Sequence, residues 1–200
     1  MQILLTYYTA TCNNVHETFG GTNGLEDDSL RFLSNAGSWR DAWRYKADVP
    51  YSPDDNKQKT DNVIIKTMKI HHPLEERYFE FSRVDALAME QLTSNPYIMN
   101  IHDFCGVSVV TERGDDVLGK AIQRLSPRAK VDLAVKVALS LAAVHEHGLV
   151  HNDLNADNIF MGKKNNPKLN DFNIAILMMN DTRTNITCTF PGHFPNAQVS

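Results

Sequence analysis

Cysteine is scarce in this 200-residue chain: Cys12, Cys105 and Cys188 are few, odd in number and far apart. That pattern suggests neither a disulfide framework nor a cysteine-based zinc site, and it favours a reducing, intracellular and cytoplasmic setting. Long apolar runs are also missing. The opening Met1-Gln2-Ile3-Leu4-Leu5 is too short and too soon interrupted for a signal peptide, so no membrane span is expected. There is no run of Lys or Arg, and the formal net charge is −4, which argues against nucleic acid or an acidic membrane as the main partner. No internal repeat is visible. What is present is a 42% hydrophobic fraction, enough to bury a real core in one or two compact units.

The order of segments is sheet-rich first and helical later. Residues up to about Leu30 are polar, with Gly20, Gly21 and Gly24, and predict a loose leader over 1–30. Asp48 to Lys59 has the chemistry of a loop inserted between two strands. Val63 to Ile70 is β-branched and predicts a strand with Ile64, Lys66 and Met68 on one face. A helix through about Tyr78–Leu92 follows. Ile98 to Thr111 supports two more strands, with Gly106 as the turn. Ser126-Pro127 is a capping pair that opens a long helix, with Val131, Ala134, Val135, Ala138 and Leu141 as its expected buried face and Gly148 as its stop.

Three residues after Gly148 comes His151-Asn152-Asp153-Leu154-Asn155-Ala156-Asp157-Asn158, and Asp171-Phe172 begins eighteen residues beyond Asp153. One carboxylate suited to accept a hydroxyl proton is thus followed at fixed spacing by two oxygen ligands, Asn158 and Asp171, suited to a hard divalent cation. His145, His147 and His151 lie near one another, but no nearby motif completes a zinc set.

From about Leu33 to Thr189 these motifs resemble the protein-kinase family, which implies an α+β fold of two lobes: a β-rich N-lobe over about 31–113 and a partial helical C-lobe over about 114–200. The resemblance makes Asp153 the catalytic base and assigns Asn158 and Asp171 to magnesium. Val63-Ile64-Ile65-Lys66 resembles the V-A-I-K strand, making Lys66 the partner of the inner phosphates of ATP, and the count back from Leu92 and Pro96 places Asp85 as its carboxylate on the following helix. Val109-Val110-Thr111-Glu112 resembles the strand end and hinge under adenine, with Thr111 as gatekeeper and Glu112 in the hinge. Ala42 and Ile64 stand where the family has valine and alanine above adenine, a swap that roughly conserves volume.

Several positions depart from the family. Asn35-Ala36-Gly37-Ser38-Trp39-Arg40 keeps only Gly37 of the three loop glycines, which implies a stiffer or differently closed lid, or direct contact of Arg40 with phosphate. Asn152 replaces an arginine, so a phosphate on the activation segment would lack its cation. Asn155 replaces the lysine of the catalytic loop, leaving more of the γ-phosphate charge to magnesium and Lys66. Asn173 replaces the glycine of D-F-G, where asparagine tolerates left-handed backbone angles. Near Ser200 no glutamate marks the end of the activation segment, so the expectation is a fragment or a degenerate relative.

The resemblance implies an ATP- and magnesium-dependent kinase that phosphorylates protein hydroxyls, serine or threonine ahead of tyrosine. Two alternatives stand beside it: a pseudokinase or nucleotide-binding interaction module, and a small-molecule kinase. The expected partners are ATP and a protein substrate, with self-association through an uncovered long helix.

Overall fold

Runs of β-branched and aromatic residues build the first half, because such side chains fit a pleated, half-buried surface. The computed structural model describes residues 30–34, 37–49, 59–162, 166–181, 183–184 and 186–189. Its first half is an antiparallel sheet of β1 (Arg31–Ser34), β2 (Arg40–Val49), β3 (Lys59–Met68), β4 (Ile101–Cys105) and β5 (Ser108–Glu112), ordered β1-β2-β3-β5-β4. The leader residues 1–29 and the centre of the inserted loop, 50–58, lie outside the described residues.

The expected alternation in β3 is present. Val63 and Ile65, each 1% exposed, join Val110 in a small core on one face of the sheet. Ile64 and Lys66 occupy the other face, opposite Thr111 and Val109. A slip of one residue would exchange the two faces, so burial of Val63 and Ile65 also fixes where Lys66 points.

Helix α1 (Glu76–Gln91) follows β3 and buries Ala86, Ala88 and Met89 against the sheet side that bears Val109. A short α2 (Leu118–Ala121) and a 3-10 turn (Ile122–Arg124) lead to α3 (Pro127–Glu146). The Ser126 Oγ accepts a hydrogen bond from the Ala129 N–H at 3.3 Å, so the predicted cap forms.

The predicted buried face of α3 is corrected by the structure. Leu133, Ser140, Ala143 and Val144 are buried, while Val131 and Val135 are 64% and 55% exposed, and Ala134 and Ala138 are also exposed. Only Leu141 of the predicted set packs against the core. Apolar residues occur almost all round this helix, so periodicity alone could not choose the stripe.

After α3 the chain forms β6 (Leu149–Val150), a β7 (Ile159–Gly162) and β8 (Asn166–Leu169) hairpin, and β9 (Ile176–Asp181) paired with β6 and β10 (Ile186–Thr189). One core joins both halves: Met89, Leu92, Ile98 and Val109 meet Val144, Leu149, Ile159, Leu169 and Phe172. Backbone bonds stitch the same seam, with Met99 N–H donating to the Leu169 carbonyl (2.9 Å) and Asp115 N–H to the Met161 carbonyl (2.7 Å).

Gly114 lies on that seam, and an added Cβ would sit 2.5 Å from Phe160 Cβ. No rotamer of Phe160 relieves a clash with its own Cβ. Gly114→Ala should therefore destabilise the protein by about 1–3 kcal/mol, as overpacking does. Thermal unfolding checks this, and an unchanged midpoint would show that the 113–116 segment can move away.

Cys105 is disulfide-bonded, although the cysteine pattern suggested no disulfide framework. A single bridge leaves no spacing signal in sequence, and its presence removes the cysteine argument for a reducing compartment.

Candidate active site

Each residue of the His151 loop has a partner that explains its type. His151 is 1% exposed, and its Nδ1 accepts from the Asp153 N–H (3.2 Å) while Nε2 donates to the Asn170 carbonyl (3.0 Å). Those roles require one neutral tautomer. Burial holds its pKa below the usual value of 6.5, against the opposing pull of the Asn170 carbonyl and the carboxylates of Asp171, Asp153 and Asp85.

A pH dependence follows from that depressed pKa. Above 6.5 both folded and unfolded chains carry neutral His151; below it the unfolded chain binds a proton that the folded chain resists, so stability falls as pH drops from 6.5 toward the folded value. His151→Gln should flatten this limb in urea unfolding between about pH 7 and 5. An unaltered slope would assign the dependence to another group.

Asp153 is held by two amides. Asn155 Nδ2 donates to its Oδ1 (3.0 Å) and Asn158 Nδ2 to its Oδ2 (2.8 Å). Asn155 Oδ1 in turn accepts from the Asp157 and Asn158 N–H groups at 2.9 and 3.2 Å. Asn158 thus spends its nitrogen on Asp153 and retains Oδ1 as a group able to ligate a cation. Asn152 has φ +63°, and its Nδ2 donates to the Ile174 carbonyl at 3.4 Å.

On β3, the Lys66 Nζ donates to Asn170 Oδ1 (3.3 Å) and lies 4.0 Å from Asp171 Oδ1. Asp171 has φ +66°, so the left-handed residue of this turn is Asp171 and not Asn173, where the sequence suggested it. The neighbouring Phe172 is fully buried, its ring 4.6 Å from that of His151.

The expected Lys66–Asp85 pair is replaced by another. Asp85 is fully buried, and its Oδ2 accepts from Arg40 NH1 at 2.6 Å while Oδ1 accepts from the Phe172 N–H at 2.8 Å. Burial pushes the Asp85 carboxyl upward, but the Lys66 and Arg40 charges, the Arg40 hydrogen bond and the Phe172 N–H together hold it below the usual carboxylate value. Lys66 therefore acts on Asp85 through space. Arg40 is itself buried, donates to Ser82 Oγ (2.9 Å) and lies 3.8 Å from Asp171 Oδ1. Sequence reasoning missed this role because a contact across 45 residues leaves no local trace.

The lid next to Arg40 is pinned to α1. Trp39 packs on Tyr78 and Phe81 with ring centroids 5.1 and 6.1 Å apart, and Gly37 offers its carbonyl to Lys69 Nζ at 2.6 Å. Asn35 lies outside the described residues. Ala42 pairs with Lys66, and Ile64 with Thr111, so all four share one sheet face. Thr111 is 1% exposed. The Glu112 carboxylate forms an ion pair with Lys168 and accepts from the Asn100 N–H at 2.7 Å, an unpredicted staple between β5 and β8.

The oxygen set fits magnesium. Asn158 and Asp171 offer two hard ligands, and magnesium commonly takes one or two protein groups with waters and phosphate oxygens. Among the described residues no group of three or more His, Cys, Asp or Glu side chains could hold a metal.

A strand lysine, a buried helix carboxylate and an Asp-Phe turn arranged around a His-x-Asp loop define a protein-kinase fold. The sequence pattern described as protein tyrosine and serine/threonine kinase matches residues 37–194, and the chain belongs to that family. It is 38% identical over 56 residues to the serine/threonine-protein kinase kin-29 of Caenorhabditis elegans, covering 28% of this chain and 7% of that protein. It is 32% identical over 106 residues to the serine/threonine-protein kinase greatwall of Canis lupus familiaris, covering 48% of this chain and 11% of that protein. The human greatwall kinase matches at 32% over the same length, 12% of it covered. The matched stretches thus span about a tenth of these relatives.

Proposed function

We propose that this site binds ATP with magnesium and that the protein transfers the γ-phosphate to a protein hydroxyl, serine or threonine ahead of tyrosine. The observation that carries this reading is a pair of contacts joined through Asn170: Asn158 is bonded to Asp153 and Lys66 lies beside Asp171, while Asn170 accepts from Lys66 and donates its N–H to the Asn158 carbonyl. In it Asp153 receives the hydroxyl proton, Asn158 and Asp171 hold magnesium, and Lys66 meets phosphate. Ala42, Ile64, Thr111 and Glu112 frame the adenine end, and Asn155 fixes the carboxylate of Asp153. Magnesium, when bound, would screen the phosphate charge during transfer. The acceptor preference draws on the similar serine/threonine-protein kinases.

A thermal-shift titration with ATP, with and without magnesium, alongside labelled-phosphate transfer to a mixed peptide library, tests the reading. Stabilisation should be largely magnesium-dependent, and Asp171→Asn should weaken that dependence. Equal shifts in EDTA and magnesium would overturn it. The pinned lid favours a second reading, a nucleotide-binding interaction module without transfer, which a shift without labelled product would support.

Among the described residues no helix is long and apolar enough to cross a membrane. Val131, Val135 and Leu139 form an exposed apolar row on α3, 64%, 55% and 47% exposed. Self-association through this row is part of the proposal, because such patches favour association. Sedimentation at tens of micromolar should show a species that Val135→Lys dissociates; a monodisperse wild-type monomer would remove the idea.

A further inference from the structure

We infer that Arg40 is the positioning residue of this site: it holds the α1 carboxylate in place of Lys66, and so joins the phosphate lid, α1 and the Asp171-Phe172 turn into one unit. The inference rests on the proposed reading of this site as a nucleotide site. Arg40 starts β2, directly after the lid residues Gly37, Ser38 and Trp39. Its guanidinium touches two helix side chains, Asp85 at 2.6 Å and Ser82 at 2.9 Å, and lies 3.8 Å from Asp171. The second oxygen of Asp85 accepts from the Phe172 N–H at 2.8 Å. Two consecutive hydrogen bonds therefore connect the lid to the turn that presents Asp171.

Burial makes this connection hard to replace. Ser82 and Asp85 are both 0% exposed, so water cannot substitute for either bond. The planar fork of arginine suits two acceptors at once, which a lysine at position 40 could not match. Trp39 adds to the grip, with the Arg40 guanidinium 4.2 Å from its ring centroid. Arg40 Nε is buried without a hydrogen-bond partner, a penalty that the paired contacts must offset. Lys66, directed to Asn170 and Asp171, is left to meet phosphate.

Hydrogen exchange on the nucleotide-free protein tests the inference without requiring ATP to bind. Arg40→Met should speed exchange at the Phe172 amide by about tenfold or more, whereas Lys66→Met should leave it within about twofold. Should Arg40→Met fail to fold, Arg40→Lys carries the comparison: it keeps the charge, loses the fork and should still exchange faster than Lys66→Met. Exchange in Lys66→Met as fast as in the Arg40 variant would overturn the inference.

A second readout separates positioning from mere support. Arg40→Lys should raise the magnesium concentration needed for half-maximal ATP stabilisation by about tenfold. Leu133→Ala, a destabilising change at a buried residue of α3 with no part in the Arg40 contacts, should not. Equal magnesium requirements in the two variants would reduce Arg40 to a structural prop. A wild type with no ATP shift would instead overturn the nucleotide reading, leaving the exchange order to judge Arg40.

Discussion

Asp153→Asn should lower phosphate transfer by roughly 10²–10⁴-fold, the usual contribution of a positioned general base. Affinity for ATP should stay within about twofold, because the base acts on the acceptor hydroxyl and not on the nucleotide. The substitution is nearly isosteric, yet it has a local consequence. Both carboxylate oxygens of Asp153 accept from amides, one from Asn155 and one from Asn158. An asparagine would present a donor to one of those donors, so one bond must break. If Asn158 loses its bond, the magnesium requirement rises as well, which a titration would separate from the loss of turnover. Initial rates on a peptide acceptor, with calorimetric ATP binding, check the prediction. Transfer near the wild-type rate would place the base elsewhere.

Much of this arrangement was legible because it depends on local order. The strand bearing Lys66, the capped helix at Ser126, the turn at Gly106 and the His151–Asn158 loop each declare themselves within about ten residues through side-chain type and spacing. Long-range pairing does not. Nothing near Arg40 says that its guanidinium reaches Asp85, and nothing near Lys168 names Glu112 as its partner. The misread face of α3 has a different origin: Val131 and Leu133 are both apolar in sequence, and only the tertiary fold leaves Leu133 buried and Val131 64% exposed. The left-handed turn at Asp171 was missed because propensity favours asparagine there, while the Asp85–Phe172 bond fixes the backbone around its neighbour.

The Arg40–Asp85 pair also decides what a longer side chain at position 85 should do. With Lys66 as the partner, an aspartate looks one methylene short, and Asp85→Glu should improve the site. With Arg40 as the partner the aspartate already reaches, at 2.6 Å, and is fully enclosed. An added methylene should then cost about 1–3 kcal/mol through overpacking. The larger effect belongs to Asp85→Asn, which keeps the shape and leaves the buried Arg40 charge with only the more distant Asp171, at 3.8 Å, as counter-ion. Breaking such a pair costs about 3–5 kcal/mol, a substantial part of the stability of a typical domain. The sign with pH is fixed by the depressed carboxyl. Asp85 contributes stability that is fully present above the unfolded value of 3.8 and is lost as pH falls through its lower folded value. The gap between wild type and Asp85→Asn in urea unfolding should therefore be constant near neutrality and narrow well below pH 3.8. A gap that persists unchanged in strong acid would mean that the contribution of Asp85 comes from shape and the Phe172 N–H, with the Arg40 charge incidental.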